Sequence, residues 1–385
     1  MSKNNNLKDF LVDVADAIRS KTGEAGLINP QDFSSRIASI QTGGGGGDIP
    51  SPSPTPTPDM PVIGDGKTYL YIKIAAKGRM DVPLRFSQTI ANGVTIDWGD
   101  GSAPQTLSGT GNVKTTHTYA KIGEYVISLD PVDGCTLGLG HGHNSYCILG
   151  LTENNTKVYC NMLQAVEIGR NVTYIGYAFY NCYSLANIVI SESVTNIGYN
   201  AFYYCYSLSN IVIPVSVTSI GKYVFQSCYS LTNIVIPQGI TNIGEYNFSH
   251  CYSLASIVIP DSVTSIDRNA FSNCHSLASV VIPQGVTSIG RSAFDSCYSL
   301  TNIVIPKNVT SLDHYVFQNC YGMAFYDFSQ VTAIPTLGTN AFYNIPSDCK
   351  IIVPDVLYDE WIAATNWSTY ASNIIKKSDW DASQS

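Results

Sequence analysis

The chain reads CYSLTNIVIPQGITNIGEYNFSH from residue 228 to residue 250, and this unit of 23 residues recurs through the second half of the sequence. Three columns keep the period: a Cys, a Phe three residues before it and a Leu three residues after it. They comprise Cys182, Cys205, Cys228, Cys251, Cys274, Cys297 and Cys320; Phe179, Phe202, Phe225, Phe248, Phe271, Phe294 and Phe317; and Leu185, Leu208, Leu231, Leu254, Leu277 and Leu300. A fixed period of this length indicates a solenoid in which each repeat packs only on its neighbours. Such a fold offers a long surface instead of a deep pocket, which favours a binding protein over an enzyme.

The apolar residues of the unit are spaced as a short strand with one inward face requires. The residues expected to point inward are Leu231, Ile234, Ile236, Ile240, Ile243, Phe248 and Cys251, and Pro237 ends the first strand. A Val stands between the inward isoleucines of each repeat and should face outward. This Val column comprises Val189, Val212, Val235, Val258, Val281 and Val304. An unchanging exposed Val suggests a covered face, such as a surface for self-association.

The Cys column allows more than one interpretation. Adjacent strands of a stack lie about 4.8 Å apart, which would permit disulfides between neighbouring repeats. Seven members cannot all pair, and Phe and Leu flank the position, so a buried, small apolar role is favoured over a metal or redox role.

The polar start of the chain, residues 1–8, lacks the features of a signal peptide. The eleven Cys are therefore expected to be reduced thiols instead of a disulfide framework.

The Tyr column directly follows the Cys column. It comprises Tyr183, Tyr206, Tyr229, Tyr252, Tyr298 and Tyr321, and His275 takes the place of one Tyr. If Cys points inward, its neighbour lies at an edge or faces outward. The rings then either stack for structural reasons or form an aromatic wall that contacts a sugar or a protein.

The repeats differ mainly at two pairs of positions. The first pairs are Tyr199/Asn200, Lys222/Tyr223, Glu245/Tyr246, Arg268/Asn269, Arg291/Ser292 and His314/Tyr315. The second pairs are Tyr203/Tyr204, Gln226/Ser227, Ser249/His250, Ser272/Asn273, Asp295/Ser296 and Gln318/Asn319. Tyr, Ser, Asn, Arg and His dominate these positions, as they do in binding loops. The alternative is drift at solvent-exposed sites.

Composition and motifs restrict the possible functions. Charged residues make up 13% of the chain and the net charge is −8, which argues against nucleic acid or an anionic membrane as partner. No apolar run approaches the length needed to span a membrane.

Asp97 and Asp100 flank a turn, and no catalytic set emerges, so we expect no enzymatic activity and no cofactor. His141 and His143 would serve as metal ligands either in a three-fold assembly or with Cys135 and Cys147, but their spacing matches no standard zinc finger.

The chain divides by composition into five parts. Residues 1–42 predict a small helical attachment module, and residues 43–61 form a Gly- and Pro-rich linker. Residues 62–150 predict β-strands, including a strand entering the turn at residues 99–102 and a final hairpin at residues 117–129. Residues 151–355 hold the repeats, and residues 356–385 a C-terminal cap and tail. The fold class expected is mainly β with short helices.

Three segments resemble known families. The motifs TIDWGDG (residues 95–101) and HTYAKIGEYVISL (residues 117–129) resemble the PKD domain, an immunoglobulin-like β-sandwich used as a spacer or binding module. The repeats resemble the BspA-like leucine-rich repeat of bacterial surface proteins and of phages of gut bacteria, and residues 366–370 look like its terminal cap. Residues 10–40, FLVDVADAIRSKTGEAGLINPQDFSSRIASI, resemble the leader of predicted tail and tail-fibre proteins in phages of Gram-positive gut bacteria.

These resemblances imply a receptor-binding appendage of a phage tail, made in the host cytoplasm and carried on the virion. Residues 1–42 would bind other tail proteins, and the solenoid would bind a bacterial surface glycan or protein. A homo-oligomer, for example a trimer, is plausible for such a fibre. The alternative is a BspA-like adhesin on a bacterial cell surface that binds host matrix or mucin. A glycan-degrading tail enzyme is a more distant alternative, because it would need paired carboxylates in a cleft.

Overall fold

The structure is a computed structural model that describes residues 65–140, 147–150 and 159–384. The chain separates into two units, Met1–Pro61 and Val62–Ser385, and the described residues belong to the second. The helical module at residues 1–42, the linker at residues 43–61, and His141 and His143 lie outside the described residues.

The first seven strands form the N-terminal β region. They are β1 Thr68–Ile74, β2 Asp81–Gln88, β3 Val94–Asp97, β4 Gln105–Thr106, β5 Gly111–Thr118, β6 Gly123–Pro131 and β7 Leu137–Leu139, with a 3-10 turn at Lys77–Arg79. The strands belong to two sheets, in the orders β1-β6-β3-β4 and β7-β2-β5. Leu70 and Ile96 from one sheet and Leu84 from the other are fully buried in one apolar core.

The strand and turn expected at residues 94–102 are present, and the hairpin expected at residues 117–129 is not. Strands β3 and β4 pair around residues 99–102, where the Asp97 carboxylate accepts a hydrogen bond from the Gly99 N–H (2.9 Å) and Asp100 accepts one from the Ser102 N–H (3.0 Å). The predicted hairpin at residues 117–129 is wrong, because β5 pairs with β2 while β6 pairs with β1 and β3. The chain therefore crosses from one sheet to the other between β5 and β6. At this crossing the buried Tyr119 donates a hydrogen bond from its hydroxyl to the Trp98 carbonyl (2.8 Å).

The repeats form two parallel ladders of short strands. The first ladder contains β8 Leu163–Glu167, β10 Asn187–Val189, β12 Asn210–Val212, β14 Asn233–Val235, β16 Ser256–Val258, β18 Ser279–Val280, β20 Asn302–Val304, β22 Phe325–Asp327, β24 Lys350–Val353 and β25 Ile374–Lys376. The second ladder contains β9 Val172–Ile175, β11 Asn196–Ile197, β13 Ser219–Ile220, β15 Asn242–Ile243, β17 Ser265–Ile266, β19 Ser288–Ile289, β21 Ser311–Leu312 and β23 Thr336–Leu337. Equivalent residues lie side by side, as Ile234 and Ile257 do. The predicted inward residues of the unit are all buried.

The sheets of the N-terminal β region continue into the repeats. Strand β1 pairs with β8 in antiparallel fashion, placing Leu70 opposite Val166. Strand β7 pairs with β9 in parallel fashion, placing Leu139 opposite Ile175. One sheet extends to β10 and the other to β13, and the later strands of the repeats form three further sheets. Because the N-terminal strands pair with the first repeat, they cover its apolar end, which would otherwise be an open sheet edge.

The interior columns are stacks of identical side chains. From Phe179 to Phe342, successive Phe rings lie 5.2–5.6 Å apart and nearly parallel. The Cys column is fully buried, as expected. From Cys205 to Cys320, each thiol donates a hydrogen bond of 3.1–3.3 Å to the carbonyl oxygen of the Phe 26 residues earlier. Burial raises the pKa of Cys251 well above the usual thiol value, so the thiol is a weak donor and not a nucleophile.

Helices and tryptophans close the C-terminal end. Within the expected C-terminal cap, helix α1 spans Tyr358–Ala363 and helix α2 spans Lys377–Gln384, with 3-10 turns at Asp355–Leu357 and Ser368–Tyr370. Trp361 and Trp367 are buried against Phe328, and the Trp367 indole donates to the Pro335 carbonyl (2.8 Å). Neither helix, nor any other in the described part of the chain, is long and apolar enough to cross a membrane.

Candidate binding surface on the turns of the repeats

Each repeat passes from its second strand to its Cys through two consecutive turns, and the variable pairs lie on these turns. We call the variable pairs, from Tyr199/Asn200 to Gln318/Asn319, the turn face. Its backbone is held by hydrogen bonds between repeats: the N–H groups of Tyr246, Phe248 and His250 donate to carbonyl oxygens of the next repeat at 3.0, 2.8 and 2.8 Å. The turns therefore have the same regular spacing as the strands, although their side chains differ.

The second residue of every variable pair has a left-handed backbone. In the first turn the residues are Asn200, Tyr223, Tyr246, Asn269, Ser292 and Tyr315, with φ between 53° and 61°. In the second turn they are Tyr204, Ser227, His250, Asn273, Ser296 and Asn319, with φ between 58° and 62°. Asn tolerates this conformation, whereas a bulky residue such as Tyr is strained there by on the order of 1 kcal/mol. Sequence analysis missed this feature because Asn is not constant at the position.

Side chains of the first pairs contact one another across repeats. The Lys222 ammonium lies 3.0 Å from the Glu245 carboxylate, and the rings of Tyr223 and Tyr246 stack at 5.0 Å. The Arg268 guanidinium lies over the Tyr246 ring at 5.9 Å. These contacts join three successive repeats into one strip of aromatic and charged groups.

The first pairs continue towards the C-terminal end of the turn face. Arg291 lies over the Tyr315 ring at 5.3 Å. The imidazole of His314 accepts a hydrogen bond from the Thr339 N–H at 2.9 Å. Arg268, Arg291 and His314 are exposed, as is Tyr199 at the other end, and Asn269 is half-buried. Four first-pair residues are therefore exposed, and the other eight, including Tyr223, Tyr246 and Tyr315, are half-buried.

The second pairs are more enclosed. The Tyr203 ring stacks on Tyr180 at 5.2 Å, and the Ser249 hydroxyl lies 2.8 Å from the His250 Nδ1. Asp295 accepts hydrogen bonds from the Ser296 hydroxyl (3.0 Å) and the Asn319 amide (3.3 Å). Burial raises the pKa of Asp295, and these hydrogen bonds oppose the shift. Gln226 is half-buried, so this column contributes less accessible surface than the first pairs.

The Tyr column forms one continuous ring stack beside the second pairs. From Tyr183 through His275 to Tyr321, successive rings are 4.5–5.4 Å apart with interplanar angles of 4–22°. Neighbouring rings cover one another's faces, so edges and hydroxyl groups point outward. The ring faces of this column are therefore covered by neighbouring rings and do not form an open aromatic wall on which a sugar could stack. Tyr204 contacts Tyr206, with ring centroids 5.6 Å apart, so the stack borders the turn face.

Four residues of the Val column are exposed on the outer side of the first ladder, as expected, whereas Val189 and Val235 are half-buried. Val212 and Val281 expose 55% and 80% of their surface. Asn210, Asn233 and Asn302 lie beside the column and are also exposed. This strand surface is uncharged, whereas the turn face carries ionised groups.

A shallow depression of about 230 Å³ lies at the C-terminal end of the repeats. Its lining includes Asn340, Tyr343, Asn344, Tyr370 and Asn373. The lining contains no carboxylate, His or Cys.

The cysteines outside the Cys column correct one expectation. Cys147 is bonded to Cys160, with Cα atoms 6.5 Å apart, so the expectation that all eleven Cys are free thiols is wrong for this pair. The other nine, including Cys135, are free and buried. Cys147 lies with Cys160 and Cys182, whereas the Cys135 sulfur packs on Gly93.

Comparison with known families agrees with the repeat architecture. Six copies of the pattern described as "BspA type leucine rich repeat region" match residues 153–278 and 241–359, which together exceed half of the chain. The chain belongs to the BspA-type leucine-rich repeat family. No curated protein sequence matches it.

Several solved leucine-rich repeat structures resemble this BspA-type protein. A leucine-rich cell surface protein from Faecalibacterium prausnitzii is 30% identical over 51% of this chain and 62% of its own, with a TM-score of 0.38. A leucine-rich repeat protein of T. pallidum is 28% identical over 55% and 89% of the two chains, with a TM-score of 0.40. One from Bacteroides ovatus is 25% identical over 62% and 61%, with a TM-score of 0.44. The match thus covers less than two thirds of the first and third proteins.

Proposed function

We propose that this BspA-type protein is a non-enzymatic receptor-binding protein and that its turn face contacts the receptor. The observation that carries the proposal is the presence of Tyr at left-handed positions, namely Tyr204, Tyr223, Tyr246 and Tyr315. The same positions in other repeats hold Asn, Ser or, once, His, with the same backbone. The fold therefore does not need Tyr there, and a strained residue without a folding role indicates a functional one.

The chemistry of the turn face fits a bacterial surface glycan or protein. Tyr provides rigid contact area at low entropic cost, and Arg and His provide hydrogen bonds and charge. The groups extend over several repeats in a row, from Tyr199 to Tyr315, without a cleft. A broad, shallow epitope suits this arrangement better than a small molecule, which prefers a concave site.

For the biological setting, we propose a phage tail, with residues 1–42 binding other tail proteins and the chain carried on the virion, where it would form a homo-oligomer such as a trimer. The support is the resemblance of residues 10–40 to leaders of tail and tail-fibre proteins. A PKD-like sandwich at residues 62–150 would then hold the solenoid away from the particle. Mass spectrometry of purified particles, with immunogold labelling, tests this setting separately from the binding surface.

A second candidate is an adhesin on a bacterial cell that binds host matrix or mucin. Membership of the BspA-type family favours it. Labelling of intact, uninfected bacteria by an antibody against the repeats would support the adhesin, and labelling of particles alone would support the tail protein.

The turn-face proposal is tested by replacing the three Tyr of the first turn with the residue that other repeats carry there. In the variant Tyr223→Asn, Tyr246→Asn, Tyr315→Asn, binding to host cells should fall at least tenfold, because three central contacts are lost. Folding should not suffer, since Asn accepts the left-handed backbone. Flow cytometry with labelled protein measures binding, and circular dichroism measures folding.

The matched control changes the Val column instead. The variant Val212→Thr, Val258→Thr, Val281→Thr alters three exposed residues of the strand surface and should bind as the unmodified protein does. Retained binding by the Tyr variant, together with loss in the Val variant, would place the receptor on the strand surface and refute the proposal.

A further inference from the structure

Three sulfur atoms meet at the N-terminal end of the Cys column. The sulfurs of Cys147, Cys160 and Cys182 lie within 4.8 Å of one another, and all three residues are fully buried. The Cys147 and Cys182 sulfurs are 3.4 Å apart. A disulfide uses two of these sulfurs and leaves the third in contact with the bond.

Cys182 differs from the rest of its column. From Cys205 onward, each thiol donates to the carbonyl oxygen of a Phe 26 residues earlier. The residue 26 positions before Cys182 is Thr156, so Cys182 has no Phe of the repeat before it. Cys160 lies 22 residues before Cys182, the same step that pairs Ile188 with Val166, so it precedes Cys182 in the column. Cys147 lies outside the column and adds a third sulfur beside these two.

Backbone hydrogen bonds hold one side of this cluster in place. The residue after Cys147, Ile148, donates its N–H to the Ala178 carbonyl at 2.7 Å and accepts from the Arg85 N–H at 2.8 Å. Ile148, Leu149 and Phe179 are fully buried in the surrounding core. The described residues on this side of the cluster are therefore apolar and held in place, which suits soft ligands.

We propose that Cys147, Cys160 and Cys182 form, when reduced, a three-thiolate site for a soft metal ion of the class that includes Zn²⁺ and Cu⁺. Thiolates select these ions, and a metal–sulfur distance of about 2.3 Å requires ligand sulfurs to lie within roughly 4.6 Å of one another. At a tetrahedral or trigonal ion the ligand sulfurs lie about 3.8–4.0 Å apart. The Cys147 and Cys182 sulfurs, at 3.4 Å, are already close to that spacing, and reduction of the Cys147–Cys160 bond frees the Cys160 sulfur to move out to it. The Cys147–Cys160 bond is then the oxidised form of the same cluster.

The two forms interconvert by balanced steps. A dithiol reductant delivers two electrons and two protons to the Cys147–Cys160 bond and itself becomes a disulfide. An ion that binds the three thiols displaces their three protons. Because the ion displaces protons, binding should strengthen as the pH rises. Because the cluster is closed to solvent, the ion is expected to enter while the chain folds.

The test loads metal during refolding of the full chain in a phosphine reductant. Zn²⁺ and Cu⁺ are supplied in separate arms, and Co²⁺ serves as an optical probe for thiolate ligation. After desalting, elemental analysis should find about one ion per folded chain in the arm of the preferred metal, and Co²⁺ should give sulfur-to-metal charge-transfer absorption. Folded, reduced protein without any bound ion would overturn the proposal.

Two substitutions locate the ion. Cys182→Ala should abolish stoichiometric binding, whereas Cys205→Ala, the next column member and equally buried, should retain it. Cys160→Ser provides a second loss-of-site variant if Cys182→Ala folds poorly by circular dichroism. Equal metal content in Cys182→Ala, Cys160→Ser and the unmodified protein would show that any ion lies elsewhere.

Discussion

The interior columns and the turn face of the solenoid share one 23-residue period but use it differently. In the interior the same residue returns at each step, as with the Phe rings stacked from Phe179 to Phe342. On the turn face the backbone returns with nearly the same φ, while the side chain changes among Asn, Tyr, Ser and His. A regular stack therefore requires identical side chains only where neighbours must fill the same shape.

This difference separates residues that stabilise the fold from residues that are free to serve recognition. An interior side chain contacts its equivalents above and below, so a change creates a cavity within the stack. A turn-face side chain projects from a backbone that hydrogen bonds between repeats already hold, as at Tyr246. Strained Tyr residues persist only where the surrounding structure holds their backbone.

The largest expected effect comes from removing the C-terminal closure. Deleting residues 356–385 removes Trp361 and Trp367, which cover Phe328 and Phe342, and leaves β24 as an unpaired edge. The truncated chain should aggregate. Deleting residues 1–61, a separate unit, should leave a soluble chain. Size-exclusion chromatography compares the two, and a soluble, monodisperse C-terminal truncation would contradict the role assigned to the cap.

The next largest effect contrasts one interior residue with a turn-face neighbour. Phe248→Ala should destabilise the protein by about 3–5 kcal/mol, because it opens a cavity between the rings of Phe225 and Phe271. Tyr246→Ala, two residues away, should cost about 1 kcal/mol or less. Urea unfolding followed by circular dichroism measures both. If the two variants lost similar amounts of unfolding free energy, the distinction between interior and turn-face residues would be wrong.

Exchanging residues at a left-handed position should have a smaller effect in a known direction. Asn269→Tyr places Tyr where φ is 54° and should destabilise the protein by about 1 kcal/mol. Asn269→Gly is the matched control and should be near neutral, because Gly adopts this backbone without strain. Thermal unfolding is the measurement. A stabilising Asn269→Tyr would mean that Tyr at these positions needs no functional explanation.

The smallest effect concerns His250 of the turn face and the pH dependence of stability. Burial, with a contribution from His275, lowers the pKa of His250 below its usual value of 6.5. The folded state therefore binds this proton less readily than the unfolded state, so stability is full above pH 6.5 and falls as the pH drops through 6.5 towards the folded pKa. His250→Asn, which puts the residue of two other repeats at this position, should flatten that pH dependence. Melting temperatures at pH 5 and pH 8 would detect the change. If the difference between these two temperatures is the same in the variant, the pH dependence of stability comes from other groups.

Prediction from sequence succeeded where the residue pattern itself reports contacts. The buried positions from Leu231 to Cys251 follow from their spacing, because each apolar side chain must meet its equivalent in the next repeat. It failed for the strands around Tyr119, since a local pattern of strand, turn and strand does not reveal which sheet receives the second strand. The Cys147–Cys160 bond was also missed, because Cys160 is brought to Cys147 by the packing of β8 and not by the period.

The sequence by itself determined the repeat, its inward and outward columns and the positions at which repeats differ. Periodicity carries this information because a stacked fold repeats one local environment many times. Only the tertiary structure decided that the N-terminal strands continue the sheets of the repeats, that three sulfurs meet at Cys182, and that variable positions have left-handed backbones. These features depend on pairings between distant segments and on backbone angles, and neither is encoded in the local alternation of apolar and polar residues.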